Sequence, residues 1–329
     1  MSTTLTRTPD QRDPAFTGRR RLRGLAWLMV RQHRAALIAC AAVTLIGAAW
    51  MIHERATMLD TLHRAGWPGK TPDTLDGPML QRLDTSFGDV ARYLGYLPML
   101  FGVFVGAPLI SSDQEHGIAR LVSTQSVPRL RWLLWKLGFA LTLVVVTTGV
   151  LGGLFGWWWR AVRPVVSSNW LDGAVFDNTL PVLIALTLFT TSLGIAIGVL
   201  VRRAVSAMVL TFFASAASLL VADYLKPRLA TPRRVAFPLD GAHPAVLDDA
   251  VQVDQWVGTA SGKVYGWGTC VNDAATDACR AKLGIVNSVW DYFGYDQMAT
   301  IQWTAAGLLL GASALLVALI VWRVRRQAL

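Results

Sequence analysis

The segment Ser111–Lys136, with the sequence SSDQEHGIARLVSTQSVPRLRWLLWK, separates two long apolar runs of the chain. Ser112 and Glu115 stand in the relation of a capping box, which predicts that a helix begins at the end of the preceding apolar run. Pro128 restricts the residue before it and predicts a break, after which a basic stretch leads into the next apolar run. The segment is therefore predicted to form a projecting polar elbow between two hydrophobic helices.

The composition is far more apolar than that of an ordinary soluble protein. Of the 329 residues, 53% are hydrophobic and only 16% are charged. Six windows of 18 to 22 residues lack Asp, Glu, Lys and Arg, and a helix of roughly 20 residues crosses a hydrocarbon core of ~30 Å. The windows are 35–52, 93–111, 137–157, 180–201, 204–222 and 303–322. They predict an all-α integral membrane protein with six transmembrane helices.

The charges outside these windows predict the orientation. The basic side consists of segments 1–34, 112–136, 202–203 and 323–329, and the other side of 53–92, 158–179 and 223–302. The first set carries a net formal charge of +13 and the second −3. Because Lys and Arg concentrate in cytoplasmic loops, we predict a multi-pass protein of the plasma (inner) membrane with both termini and the elbow in the cytoplasm. The sequence pI of about 10.1 therefore arises from basic residues beside the membrane. It indicates the lipid bilayer as partner and not nucleic acid.

The chain divides into regions by composition. They are a disordered cytoplasmic tail at 1–18, an amphipathic connecting helix at 19–34, transmembrane helices 1–5 at 35–222 with the cytoplasmic loop 111–136, an extracytoplasmic loop region at 223–302, and transmembrane helix 6 with a basic tail at 303–329. Leu22, Leu25 and Met29 recur at helical spacing in the second region, which favours a helix in the membrane interface. A simple positive flank of the first span is the alternative reading.

The outer region 223–302 contains two of the three cysteines. Because this side is predicted to be oxidising, Cys270 and Cys279 are expected to form a disulfide rather than a metal site with the distant His243. The aromatic stretch Val286–Trp303 is predicted to dip into the outer membrane interface before the last span.

The apolar windows contain Gly-x-x-x-Gly pairs, which allow helices to approach closely. The pairs are Gly102/Gly106, Gly149/Gly153, Gly152/Gly156, Gly194/Gly198 and Gly307/Gly311. They favour either packing within one helix bundle or a face between two subunits.

Catalytic signatures are not found in the sequence. The string Gly69-Lys70-Thr71 has Arg64 where a Walker A motif requires glycine, and Pro72 follows where its helix should begin. The histidines show no His-x-x-x-His pair, and the windows contain no carboxylate pair for acid–base chemistry. We therefore predict a non-catalytic chain without a cofactor or metal of its own. The lack of ionisable residues within the windows also argues against proton-driven transport.

The order of residues in the elbow resembles the first intracellular loop of ABC-2 type transporter permeases, the membrane subunits of ATP-driven exporters. The residues that carry the resemblance are Glu115, Gly117, Leu121, Ser126–Arg129 and Lys136. In that family a Glu-x-Gly-Thr element and a Pro-x-(Ser/Arg) element form a coupling helix that contacts the ATPase. This chain has Ile118 in place of the threonine, so a role of that hydroxyl is not expected here.

The resemblance implies a transport subunit whose ATP and Mg²⁺ are bound by a partner ATPase on the cytoplasmic face. It also implies a second permease subunit, identical or different, with the transport path between the two. The residues implied to couple to the ATPase are Glu115, Gly117, Arg120, Pro128 and Arg129. Apolar spans favour a hydrophobic or amphipathic substrate, exported outward. The alternative is a membrane-anchored enzyme or assembly factor that acts through segment 223–302.

Overall fold

Six helices of the computed structural model are long and apolar enough to cross a membrane. The structure describes residues 31, 33–117, 129–271 and 275–326. The candidate spans are Arg34–Arg64, Gly77–Glu115, Leu130–Val162, Val182–Leu200, Ala204–Arg228 and Tyr295–Arg326. Each charge-free window coincides with one of them, which confirms the predicted six-helix membrane protein.

The helices and strands are numbered here in chain order. They are α1 (Arg34–Arg64), α2 (Gly77–Gly95), α3 (Leu97–Phe101), α4 (Pro108–Glu115), α5 (Arg129–Val162), α6 (Gly173–Phe176), α7 (Val182–Leu200), α8 (Ala204–Leu225), β1 (Arg233–Pro238), β2 (Val251–Thr259), β3 (Val264–Gly266), α9 (Thr276–Leu283), β4 (Ile285–Phe293) and α10 (Met298–Arg326). The predicted tail 1–18 and the predicted connecting helix 19–34, up to residue 30, lie outside the described residues.

Helix α7 is the most buried of the candidate spans and packs against α5, α8, α10 and the second span. Glycines allow the closest approach, because a Cβ on Gly194 would collide with the carbonyl oxygen of Gly102, and one on Gly198 with that of Ala107. These pairs therefore serve packing within the bundle. The Gly307/Gly311 pair differs, since a Cβ at either position would meet no described atom within 4 Å.

The second span is interrupted between α2 and α4. Pro98 and Pro108 each lack the N–H that an α-helix requires, and a π-helical turn, Gly102–Gly106, lies between them. The hydroxyl of Thr190 on α7 donates to the Pro98 carbonyl at 2.5 Å. Such π turns occur frequently at functional sites, and this one lies against the most buried helix.

Helices α1 and α5 are longer than a bilayer requires. They contain 31 and 34 residues, or about 46 and 51 Å at ~1.5 Å per residue. At the ends away from the elbow they join α2 around an aromatic core. Phe87 lies 5.1 Å from Phe155 and 5.2 Å from Trp158, measured between ring centroids, and all three side chains are buried. The packed bundle thus continues from window 137–157 into segments 53–92 and 158–179, which the sequence places between the spans.

The outer segment contains an antiparallel sheet with the strand order β1–β4–β2–β3. Strand β4 pairs with β1 on one side and with β2 on the other, and Val289 and Phe293 on it are buried. The contacts of this strand do not locate it relative to a membrane, so the dip of the stretch from Val286 into the interface stays a prediction. Its aromatic and β-branched residues suit a central strand, in which the adjacent Tyr292 and Phe293 are both buried.

The structure joins Cys270 and Cys279 in the predicted disulfide, with their Cα atoms 5.7 Å apart. The bridge connects the turn after β3 to α9. It packs beside Val257 and Ile285 in a small separate core of the outer segment. The disulfide therefore fixes the connection between β3 and β4.

Candidate functional site

The first limb of the elbow, Ser111–Glu115, is the end of a helix and not the start of one. Helix α4 ends at Glu115, and Gly117 adopts the left-handed conformation with φ +71°. A Cβ on Gly117 would meet no described atom within 4 Å, and its left-handed backbone favours glycine, as is common just after helix C-termini. The predicted capping box is wrong because Ser112 lies inside α4, which continues from the preceding apolar run.

Glu115 instead caps a different helix. Its Oε2 accepts a hydrogen bond from the backbone N–H of Ala204, at 2.9 Å. Ala204 is the first residue of α8, and its N-cap residue, Arg203, forms no side-chain cap. The first N–H groups of a helix lack intrahelical acceptors and carry a partial positive charge, so a carboxylate is favourable there. Glu115 therefore links the start of the elbow to the beginning of the fifth span.

The two limbs of the elbow are held together by a buried ion pair. The Lys136 ammonium on α5 contacts the Asp113 carboxylate on α4 and donates to the Leu109 carbonyl at 2.9 Å. Lys136 is fully buried and Asp113 is 4% exposed. Trp132 lies beneath the ammonium, with its ring centroid at 4.7 Å. Such a pair tolerates burial only because each charge has its partner and further polar contacts.

The sequence carried a signal for this pair that went unused. Asp113 lies two residues after the window 93–111, and Lys136 lies one residue before 137–157. In antiparallel neighbouring helices these positions fall at similar depth, so opposite charges there can meet. The sequence pattern instead predicts a projecting polar elbow for both residues. The structure corrects this for the limbs, 111–115 and 130–136, which are helical and packed.

Only part of the predicted coupling motif is described. Glu115 and Gly117 lie together at the end of α4. Arg120 and Pro128 lie outside the described residues, and Arg129 is the first residue of α5 with a side chain that also lies outside them. The contact of these five residues with an ATPase stays a prediction.

An open cavity of about 640 Å³ lies at the other end of the bundle. Helices α2, α3, α6, α7 and α8 contribute to its wall. Leu219 and Leu220 of α8 and Met99 form part of an apolar region, and Asp177 and Asn178 belong to a polar one. The cavity is therefore amphipathic.

Asn178 is the most buried polar residue of this cavity, with 1% of its surface exposed. Its amide nitrogen donates to the carbonyls of Ala91 at 2.7 Å and Ala174 at 2.9 Å. Within the described parts of the chain, its Oδ1 accepts no hydrogen bond. The amide thus ties α2 to α6 and keeps one acceptor unused.

An ion-pair cluster borders the same cavity. The Lys226 ammonium lies 3.0 Å from an oxygen of Asp177 and 2.8 Å from one of Asp223. Burial raises the pKa of Asp177 above its usual value, and Lys226 opposes that shift. The sequence assigned these three residues to solvated outer segments, since their proximity depends on how α6 and α8 pack.

A sequence model of the family described as ABC-2 membrane transporter related matches residues 41–226. The match covers more than half of the chain, from α1 to the end of α8. It includes both limbs of the elbow and the outer cavity, whereas the sheet and α10 lie beyond it. No curated protein and no solved structure matches this chain.

Proposed function

Because the chain belongs to the family of ABC-2 membrane transporter related proteins, we propose that it is the permease subunit of an ATP-driven exporter. A separate subunit binds and hydrolyses ATP at the cytoplasmic face. A second permease subunit, identical or different, completes the transport path. The substrate moves outward and is hydrophobic or amphipathic, in keeping with the mostly apolar wall of the outer cavity.

The observation that carries this proposal is the hydrogen bond between Glu115 and the N-terminus of α8. The same helix forms part of the outer cavity through Ala216, Leu219 and Leu220. A displacement of the elbow by the ATPase is therefore transmitted to a wall of the cavity through one rigid helix. This transmission does not require the described residues to bind a nucleotide, because the separate ATPase subunit does so.

The buried Asp113–Lys136 pair supports the same mechanism. It fixes α4 to α5 on the membrane side of the loop, so a displacement of the loop by the ATPase moves both limbs together. Breaking the pair inside the bundle would leave an unpaired buried charge. The limbs therefore act as a unit, and motion is directed to α8 through Glu115.

Exchange of Glu115 tests the coupling. In the complex purified with its ATPase, Glu115→Gln is expected to lower ATPase affinity, or export per ATP hydrolysed, by at least about tenfold, equivalent to ~1.4 kcal/mol. Glutamine retains an acceptor for the Ala204 N–H, so insertion should be normal. Glu115→Ala also removes that acceptor, so ATPase affinity or export per ATP hydrolysed should fall further than in Glu115→Gln.

The matched control is Gln114→Ala, the neighbouring position on α4, whose side-chain amide donates a long 3.5 Å hydrogen bond to the Val199 carbonyl. It should couple like the wild type. Full ATPase binding and coupled export in Glu115→Gln would show that the charge of Glu115 is not part of the coupling mechanism. Purification of the intact chain from its native membrane without any ATPase would contradict the exporter itself.

The proposed orientation has its own test. The charge difference between the two sides predicts that an impermeant thiol reagent labels cysteines introduced at Thr71 or Ser261 in sealed cells. A cysteine introduced at Thr124 should be labelled only after the membrane is permeabilised. Labelling of a cysteine at position 124 in sealed cells would contradict the proposed topology.

A further inference from the structure

A second open groove, of about 510 Å³, lies at the outer ends of α5, α7 and α10. It is separate from the elbow and from the cavity beside α8. Its walls include Gly152, Gly153 and Gly156 of α5, Leu180 before α7, and Met298 and Gln302 of α10. The proposed transport mechanism does not involve this groove.

Glycines give the groove its depth. A Cβ on Gly153 would lie 3.8 Å from Leu180, and one on Gly156 would lie 3.8 Å from Thr179. Both are ordinary contact distances, so packing against the neighbouring helix does not require glycine at these two positions. From Gly152 to Arg160 the groove follows α5 for about 12 Å at ~1.5 Å per residue. Its apolar floor suits a hydrocarbon chain.

A positive charge stands at the outer end of this floor. Arg160 is exposed, and its Nε donates to the Gly156 carbonyl at 3.2 Å. Across the described residues, no carboxylate pairs with it. The carboxylate in the groove wall, Asp296, pairs with Arg233 at 2.7 Å, and the neighbouring Arg163 pairs with Asp249 at 3.1 Å. Arg160 lies three residues beyond the charge-free window that ends at residue 157. This is the level at which arginine side chains reach lipid headgroups.

A buried donor also lies in the wall. Trp159 lines the groove and is 2% exposed, and its Nε1–H has no acceptor among the residues that the structure describes. A buried donor without an acceptor is unfavourable. The Trp159 Nε1 is buried and has no accessible surface toward the groove, so Arg160 is the group that calls for a negatively charged oxygen acceptor.

We propose that this groove binds a phospholipid with a net negative headgroup. Its phosphate contacts Arg160, and one acyl chain lies along the glycines of α5. The phosphate is the recognised group because arginine binds it through charge-assisted hydrogen bonds. This lipid site goes beyond the export function, and it does not depend on an ATPase partner.

Native mass spectrometry of the delipidated full-length protein tests the site. Titration with dioleoylphosphatidylglycerol is expected to give one tightly held lipid per chain, and dioleoylphosphatidylcholine a weaker one. Arg160→Gln should lower phosphatidylglycerol affinity by about tenfold and abolish the preference. Arg92→Gln, which changes an outer arginine already paired with Asp89, should retain the wild-type preference.

Gly156→Leu fills the floor and should weaken binding of both lipids. Its control is Gly311→Leu on α10, where a Cβ would meet no described atom within 4 Å. Equal phosphatidylglycerol affinity in Arg160→Gln and wild type would overturn the proposal. So would displacement of the lipid by millimolar inorganic phosphate, because the site would then bind a free anion without its acyl chain.

Discussion

The elbow end of the bundle and the sheet of segment 223–302 both contain ion pairs, but the pairs differ in their exposure. At the elbow end, Lys136 and Asp113 are almost completely buried between two helices. In segment 223–302, Arg233 pairs with Asp296 at 2.7 Å while their side chains are 49% and 63% exposed. Charge that is shielded from water must be paired, whereas exposed charge is solvated with or without a partner.

The two ends are therefore held by different means. Helix packing around the buried pair fixes the two limbs of the elbow. The outer segment depends on the hydrogen bonds of its sheet and on the Cys270–Cys279 bridge. Disruption of the buried ion pair should therefore destabilise the membrane bundle. Loss of the disulfide or of hydrogen bonds in the sheet should affect only segment 223–302.

The largest effect is expected for Lys136→Met. It leaves the Asp113 carboxylate buried without its partner, which typically costs about 3–5 kcal/mol. Thermal unfolding of the purified protein in detergent measures the loss. The double variant Asp113→Asn/Lys136→Met should recover most of it, because no charge then remains buried. A single variant as stable as the wild type would show that water reaches the pair.

Loss of the outer disulfide should have an intermediate and local effect. Cys279→Ser, with Cys270→Ser, should lower the stability of the sheet by about 2–3 kcal/mol on the loop-entropy model. Hydrogen exchange should rise in β2, β3 and α9 and stay unchanged in α7. Unreduced mass spectrometry of the wild type supplies the control, and two free thiols there would refute the bridge.

The smallest effect is expected for Arg233→Ala. This side chain is exposed and its partner Asp296 is more exposed still, so solvent replaces the lost contact. The unfolding temperature should not change measurably, and high salt should not affect the wild type and the variant differently. A loss comparable with that of Lys136→Met would mean that this edge of the sheet is covered by another part of the assembly.

The sequence by itself determined the membrane architecture. A run of about 20 apolar residues without charge can satisfy its backbone hydrogen bonds in lipid only as a helix, so the six windows were sufficient to predict six spans. The spacing and location of Cys270 and Cys279 also predicted their bridge. In both cases the decisive property, local hydropathy or a nine-residue separation, lies within one short segment of the chain.

Only the tertiary structure decided which distant groups meet. Glu115 and Ala204 are 89 residues apart, and Asp113 and Lys136 are brought together by the packing of α4 on α5. Strand β4 exists because β1 and β2 supply partners on both its edges, while its aromatic composition alone also suited a membrane interface. These features depend on three-dimensional pairing, whose energy no local stretch of residues contains.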